Sequence, residues 1–230
     1  MLIEPTMPGL NSSRRTLLLG AAILSQARPA LAADLDVHKA GQPALKLAGQ
    51  TCALIAIDFQ VSNERAAFTP HSFADVVRNA NVVAAAVRAS GGMVARTHVL
   101  EADMLDLPSD ETLPSTPSDP DGARFAADAG PAPGDVVITK RQWGAFYATD
   151  LDQQLRRRGI HTLLIAGVAT EFGVESTVRA AYDRGYALVF VEDAISGVTA
   201  KSNDAFINGL FPFMGRVRPS TQVAAALSAT

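Results

Sequence analysis

Apolar residues in this chain fall in short continuous runs, separated by stretches in which they recur every three or four positions. Ala53-Leu54-Ile55-Ala56-Ile57 is one such run and Leu163-Leu164-Ile165-Ala166 another. Runs this short and this free of polar residues predict strands buried on both faces of a sheet. The first strand is predicted at 52–58 and the others at 93–98, 135–139, 162–166 and 186–191, with a short sixth at 216–218. Between the first two, Val76, Val77, Val83 and Val87 mark the apolar side of a helix. Ser72 is placed to cap its start, and Gly91-Gly92 stops it. Further helices are predicted from Thr149-Asp150 to just before Gly159, and over 172–184, 202–210 and 221–227. Strands alternating with helices imply parallel strands joined by right-handed crossovers, hence an α/β fold.

Composition narrows the class without changing that picture. At 230 residues, 48% hydrophobic and 19% charged, the chain has the make-up of one ordinary globular domain. The net charge is −3, and no basic stripe interleaved with aromatics is present. Nucleic acid and anionic membrane surfaces are therefore not expected as partners. The N-terminus stands apart. Ser12-Ser13-Arg14-Arg15-Thr16-Leu17-Leu18 leads into an apolar run ending at Leu24, and Ala30-Leu31-Ala32 offers small residues for cleavage before Ala33. That run is too short to span a bilayer. Residues 1–32 thus read as a twin-arginine export signal. Residues 33–230 form the mature domain, expected in the periplasm or outside the cell without stable membrane association. The one cysteine, Cys52, opens the first strand and reads as a buried structural thiol with no disulfide partner.

Groups able to do chemistry gather at strand ends. Asp58 follows the first run, and Lys140 follows Val136-Val137-Ile138-Thr139. The stretch 162–177, TLLIAGVATEFGVEST, passes from strand to helix through small residues, which aims backbone N–H groups above the sheet. It is too poor in glycine to be a dinucleotide-binding loop. Together these segments resemble the isochorismatase-like hydrolase superfamily, which includes cysteine amidases such as nicotinamidase and N-carbamoylsarcosine amidase. The resemblance runs over residues 47–227. It implies a three-layer α/β/α sandwich, Rossmann-like, with a six-stranded, mainly parallel sheet in the order 3-2-1-4-5-6. Strands one and four would then lie side by side at the switch point, where ligands bind in such sheets.

In the superfamily an Asp, a Lys and a nucleophilic Cys occupy the positions of Asp58, Lys140 and Gly173. Gly173 cannot attack anything, and isochorismatases proper also carry Gly there. The resemblance therefore implies hydrolysis of a small organic molecule without a covalent intermediate. Asp58 would act as acid or base and Lys140 as its electrostatic partner. The resemblance also implies a cis bond between Val168 and Ala169, an oxyanion hole made by the N–H groups of Ala169 and Gly173, and a homo-oligomer. No cofactor and no metal is expected. One departure stands out: Ala169-Thr170-Glu171 follows the amidase pattern, where isochorismatases carry Tyr-Ala-His.

Around this trio, Phe59, Phe172 and Trp143 are candidate apolar walls, and His98, which closes strand two, is a candidate lining residue. Trp143, Phe146 and Tyr147 equally suit a core or a subunit face. Glu101 and Asp103 follow His98 without metal-ligand spacing. Thr170, Ser176 and Thr177 have no His placed to activate them and read as capping or packing residues. Lys140 favours an ionised Asp58, which suits a base, whereas burial favours the neutral acid. The sequence leaves both open. Two rivals remain, a non-catalytic binding relative and an amidase using Asp58-activated water. Keeping both Asp58 and Lys140 weighs against the first, because a buried charge pair is costly. The loop 100–130, rich in Asp and Pro, is expected to set the substrate.

Overall fold

The computed structural model describes residues 43–105, 107–111 and 121–228. The predicted export signal, the lead-in 33–42 and the middle of the long loop lie outside these residues. Six strands form one sheet: β1 (Cys52–Ile57), β2 (Met93–Val99), β3 (Val136–Lys140), β4 (Thr162–Val168), β5 (Ala187–Ser196) and β6 (Gly215–Arg218). Their order is β3-β2-β1-β4-β5-β6, with every neighbouring pair parallel. β1 and β4 are adjacent, so the chain reverses its winding direction between them, and the crevice above their carboxyl ends is the place to look for a site.

Strand residues alternate between two cores, as a pleated chain requires. Cys52, Leu54 and Ala56 of β1, with Leu164, Ala166 and Val168 of β4, face α1 (Phe73–Ala89). The opposite faces, Ala53, Ile55, Ile57, Leu163 and Ile165, meet α2 (Leu151–Arg157) and α3 (Glu175–Asp183). Every residue of β1 is buried, which is why its sequence shows no polar alternation. In α1, Val76, Val77, Ala80, Val83, Ala84 and Val87 form the buried stripe, and the Ser72 hydroxyl accepts from Asp75 N–H at 3.2 Å to cap its first turn. The C-terminal helix α5 (Ser220–Ser228) packs beside α1.

Two strands run two residues or more past their predicted ends. β4 continues through Gly167 to Val168. β5 continues to Ser196 although Glu192 and Asp193 interrupt its apolar run. The register shows how: Ile165 pairs with Phe190, but Gly167 pairs with Ile195, so a bulge absorbs the polar residues. Asp193 in that bulge accepts the Ser220 N–H and hydroxyl, both at 2.7 Å, and so caps α5. Cys52 is fully buried, and its thiol donates to Ala48 O at 3.3 Å.

Candidate active site

The site begins where β1 ends. Ile57 lies between Thr97 of β2 and Gly167 of β4. The next residue, Asp58, takes a left-handed backbone with φ +59°, a conformation Asp tolerates better than most residues. Its neighbours hold it there. The Asp58 N–H donates to Thr97 O at 3.1 Å and to Thr97 Oγ1 at 3.3 Å, while Asn63 Nδ2 donates to Asp58 O at 2.9 Å. Gln60, fully buried, matches its amide to the Val99 backbone: Oε1 accepts from Val99 N–H at 2.8 Å and Nε2 donates to Val99 O at 3.2 Å.

The Asp58 carboxylate meets two donors. Thr97 Oγ1 donates to Oδ1 at 3.0 Å and Lys140 Nζ donates to Oδ2 at 2.7 Å. Lys140 reaches from the end of β3 across the end of β2, and its side chain is 1% exposed. Its remaining protons go to Trp143 O at 2.8 Å and Gln142 O at 3.4 Å. The ammonium is thus fully coordinated by protein acceptors. Burial pushes the Asp58 carboxyl above its usual value, even though Lys140, Thr97 and His98 pull the other way.

The third part is the turn after β4. Gly167 has φ +149°, and a Cβ there would lie 2.5 Å from Ile57 O, so only glycine lets β4 pass β1 so closely. The Val168–Ala169 bond is cis. Ala169 O accepts from Phe172 N–H at 3.1 Å and Val174 N–H at 3.3 Å, making a wide turn over Thr170–Val174 that feeds α3. This turn brings Gly173 against the carboxylate. A Cβ on Gly173 would stand 2.7 Å from Asp58 Oδ2, 3.2 Å from Ile57 Cγ2 and 3.5 Å from Lys140 Nζ. Real Cβ atoms do not approach other atoms at 2.7 Å, so Asp58 Oδ2 occupies space that a side chain at 173 would need.

The remaining elbow residues anchor it. Thr170 Oγ1 donates to Asn203 Oδ1 at 2.6 Å, and Glu171 accepts from Val198 N–H at 2.9 Å and from the Ser202 hydroxyl. These bonds fix the start of α4 (Ala200–Asp204), which Thr199 caps. Thr177 donates to Gly173 O at 2.7 Å and accepts from Ala145 N–H at 3.0 Å. Its hydroxyl is thereby a brace.

Of the residues singled out in the sequence, Asp58, Lys140 and Gly173 converge within contact distance, with Ala169 opening the same turn. Trp143 and Phe172 meet at 5.1 Å between ring centroids, and Trp143 is 40% exposed. Phe59 and His98 do not join them. Phe59 is 1% exposed and packs edge-on against Phe73 in the α1-side core. His98 binds Ala123 O through Nδ1 at 2.7 Å and Thr139 Oγ1 through Nε2 at 2.8 Å, so both ring nitrogens are engaged within the fold. Among the described residues no group of three His, Cys, Asp or Glu side chains could hold a metal ion. The sequence reading missed Thr97 and Asn63, although the pairing of β2 with the end of β1 was the signal that leads to Thr97.

Residues 52–222 match the isochorismatase domain. The chain belongs to the isochorismatase family. An isochorismatase family protein of Escherichia coli O157:H7, YecD, is 40% identical over 187 residues, which span 80% of this chain and all of that protein. An isochorismatase family protein from Burkholderia thailandensis has a solved structure that superposes with a TM-score of 0.75 at 39% identity, covering 81% of this chain and 98% of that one. The ureidoacrylate amidohydrolase RutB of Methylorubrum extorquens is 42% identical over 100 residues, 43% of this chain and 40% of that enzyme. This isochorismatase-family chain is a hydrolase of small molecules whose substrate is unassigned.

Proposed function

We propose that this family member hydrolyses its substrate without a cysteine nucleophile, using Asp58 as a general acid held by Lys140. What carries the reading is the position of Asp58 Oδ2, 2.7 Å from the point a Cβ at Gly173 would occupy. A nucleophile at 173 would need that volume, and here the carboxylate fills it. Burial raises the Asp58 proton affinity, the direction a general acid needs. Lys140 has no proton left for the substrate, so its part is to stabilise the carboxylate once the proton has gone. The N–H groups of Ala169 and Gly173 are the candidate donors to developing negative charge, and Trp143 and Phe172 the candidate apolar wall. Export through the predicted twin-arginine signal and assembly into a homo-oligomer belong to the same proposal.

A second reading, amide hydrolysis by water that Asp58 activates as a base, is favoured by the local identity to an amidohydrolase. Both readings are tested on the mature protein with a panel of small vinyl ethers, amides and esters, run beside Asp58→Asn. Turnover of vinyl ethers lost in Asp58→Asn supports the acid. Turnover confined to amides supports the base. Turnover that survives Asp58→Asn sinks both, and tight binding without any turnover moves the protein to a non-catalytic relative.

A further inference from the structure

The two oxygens of Asp58 have different surroundings. Oδ2 faces Gly173 and accepts from Lys140, while Oδ1 points away to Thr97. Thr97 is fully buried on β2 and makes two bonds to the same residue. Its Oγ1 accepts from the Asp58 N–H at 3.3 Å, which uses a lone pair, and its own proton goes to Oδ1 at 3.0 Å. Among the described residues that hydroxyl proton has no second acceptor in reach. Held by this donor on one oxygen and by Lys140 on the other, the carboxyl cannot turn about its axis. We infer that Thr97 is a positioning residue: its bond to Oδ1 fixes the rotation of the Asp58 carboxyl and so keeps Oδ2, the oxygen that would deliver the proton, beside Gly173.

The inference rests on the reading of Asp58 as an acid and adds what holds its carboxyl in place. Oδ2 still has a lone pair for Lys140 when protonated, so the pair need not separate. Proton transfer then leaves Oδ2 as a carboxylate oxygen already bonded to the ammonium. Among the described residues, the charged and titratable groups that bear on Asp58 are Lys140 from β3 and His98 from β2. The elbow's own carboxylate, Glu171, is turned to Val198 and Ser202. Removing the Thr97 donor therefore weakens the ionised form of Asp58 with the other charges left in place.

The mature protein, labelled with carbon-13 at the Asp carboxyl, is titrated by NMR, and the Asp58 signal is identified by its loss in Asp58→Asn. Thr97→Val should raise the Asp58 midpoint by about one pH unit, the scale of one hydrogen bond to a charged group. Thr97→Ser should return it to the wild-type value. In the infrared difference spectrum against Asp58→Asn, the C=O stretch of protonated Asp58 should rise in Thr97→Val, because the carboxyl loses a donor. An unmoved midpoint and an unmoved stretch in Thr97→Val overturn the inference. If Thr97→Val does not fold, the smaller Thr97→Ala is read in the same way. Loss of turnover in Asp58→Asn beside an unmoved Thr97→Val midpoint overturns the positioning role alone. Full turnover in Asp58→Asn overturns the acid reading and this inference with it.

Discussion

Gly173→Ala adds one methyl group and nothing else, yet the geometry predicts a large response. The new Cβ would lie 2.7 Å from Asp58 Oδ2, where ordinary contact begins at 3.4 Å. One of the two must retreat by about 0.7 Å, a large fraction of an atomic radius. Asp58 has little room to do so. Its backbone is held at φ +59° by Thr97 and Asn63, and its oxygens are tied to Thr97 and Lys140. Ile57 Cγ2 at 3.2 Å blocks a sideways step. Overpacking of this kind costs about 1–3 kcal/mol. In a domain of this size that lowers Tm by roughly 2–12 °C. Thermal unfolding of the mature protein followed by circular dichroism measures it. The control is the same substitution on Asp58→Gly, where glycine keeps the left-handed backbone and the carboxylate is gone. There Gly173→Ala should cost less than half as much. An equal cost in both backgrounds would show that the carboxylate is not what fills the space, and the reasoning behind Asp58 would fail with it.

Thiol reagents give a second test. Burial pushes Cys52 up to about 11, and it is the one cysteine in the chain, so iodoacetamide should leave turnover intact and the native protein unlabelled until it is denatured. Inhibition by the reagent at native pH would refute a mechanism without a thiol. A third prediction concerns Asp135, whose buried side chain takes Arg88 and Arg96. Burial opposes its ionisation, but the bonds from Arg88, the Ala132 N–H and Arg96 together hold its carboxyl below the usual value. Its contribution should be full above the ordinary carboxylate pKa and fade as pH falls through the lowered one. Asp135→Ala leaves Arg96, only 4% exposed, without its charge partner. Urea unfolding at pH 7 should show a loss of roughly 3–5 kcal/mol, and a loss under about 1 kcal/mol would refute the pairing.

Much of the fold was legible because the strands are buried on both faces and so read as unbroken apolar runs. The strand order came through the resemblance carried by Asp58, Lys140 and the elbow. β5 was cut short because Glu192 and Asp193 look like a strand end, and only the register with β4 reveals a bulge. Phe59 was misplaced for a related reason. In a straight strand it would share a face with Ile57, but the turn at Asp58 breaks the alternation and sends its ring to the α1 side. His98 lies at the right strand end but shares its face with Val94 and Arg96, and both its ring nitrogens bond within the fold. Identity at 58, 140 and 173 was readable. That the carboxylate would fill the glycine's empty volume was not, since it depends on distances of a few tenths of an ångström.

Gln60 bears on how such a chain can diverge. When β1 turns away at Asp58, the N–H and C=O of Val99 on β2 lose the backbone they would otherwise face. The Gln60 amide supplies both, a peptide group borrowed from a side chain. The segment 64–68, beyond Asn63, is therefore relieved of closing this end of β2 and can lengthen, shorten or change course without unpairing it. Gln60 has no such freedom. A glutamate in its place would set a second acceptor against the Val99 carbonyl, so drift in the loop depends on constancy in one residue before it.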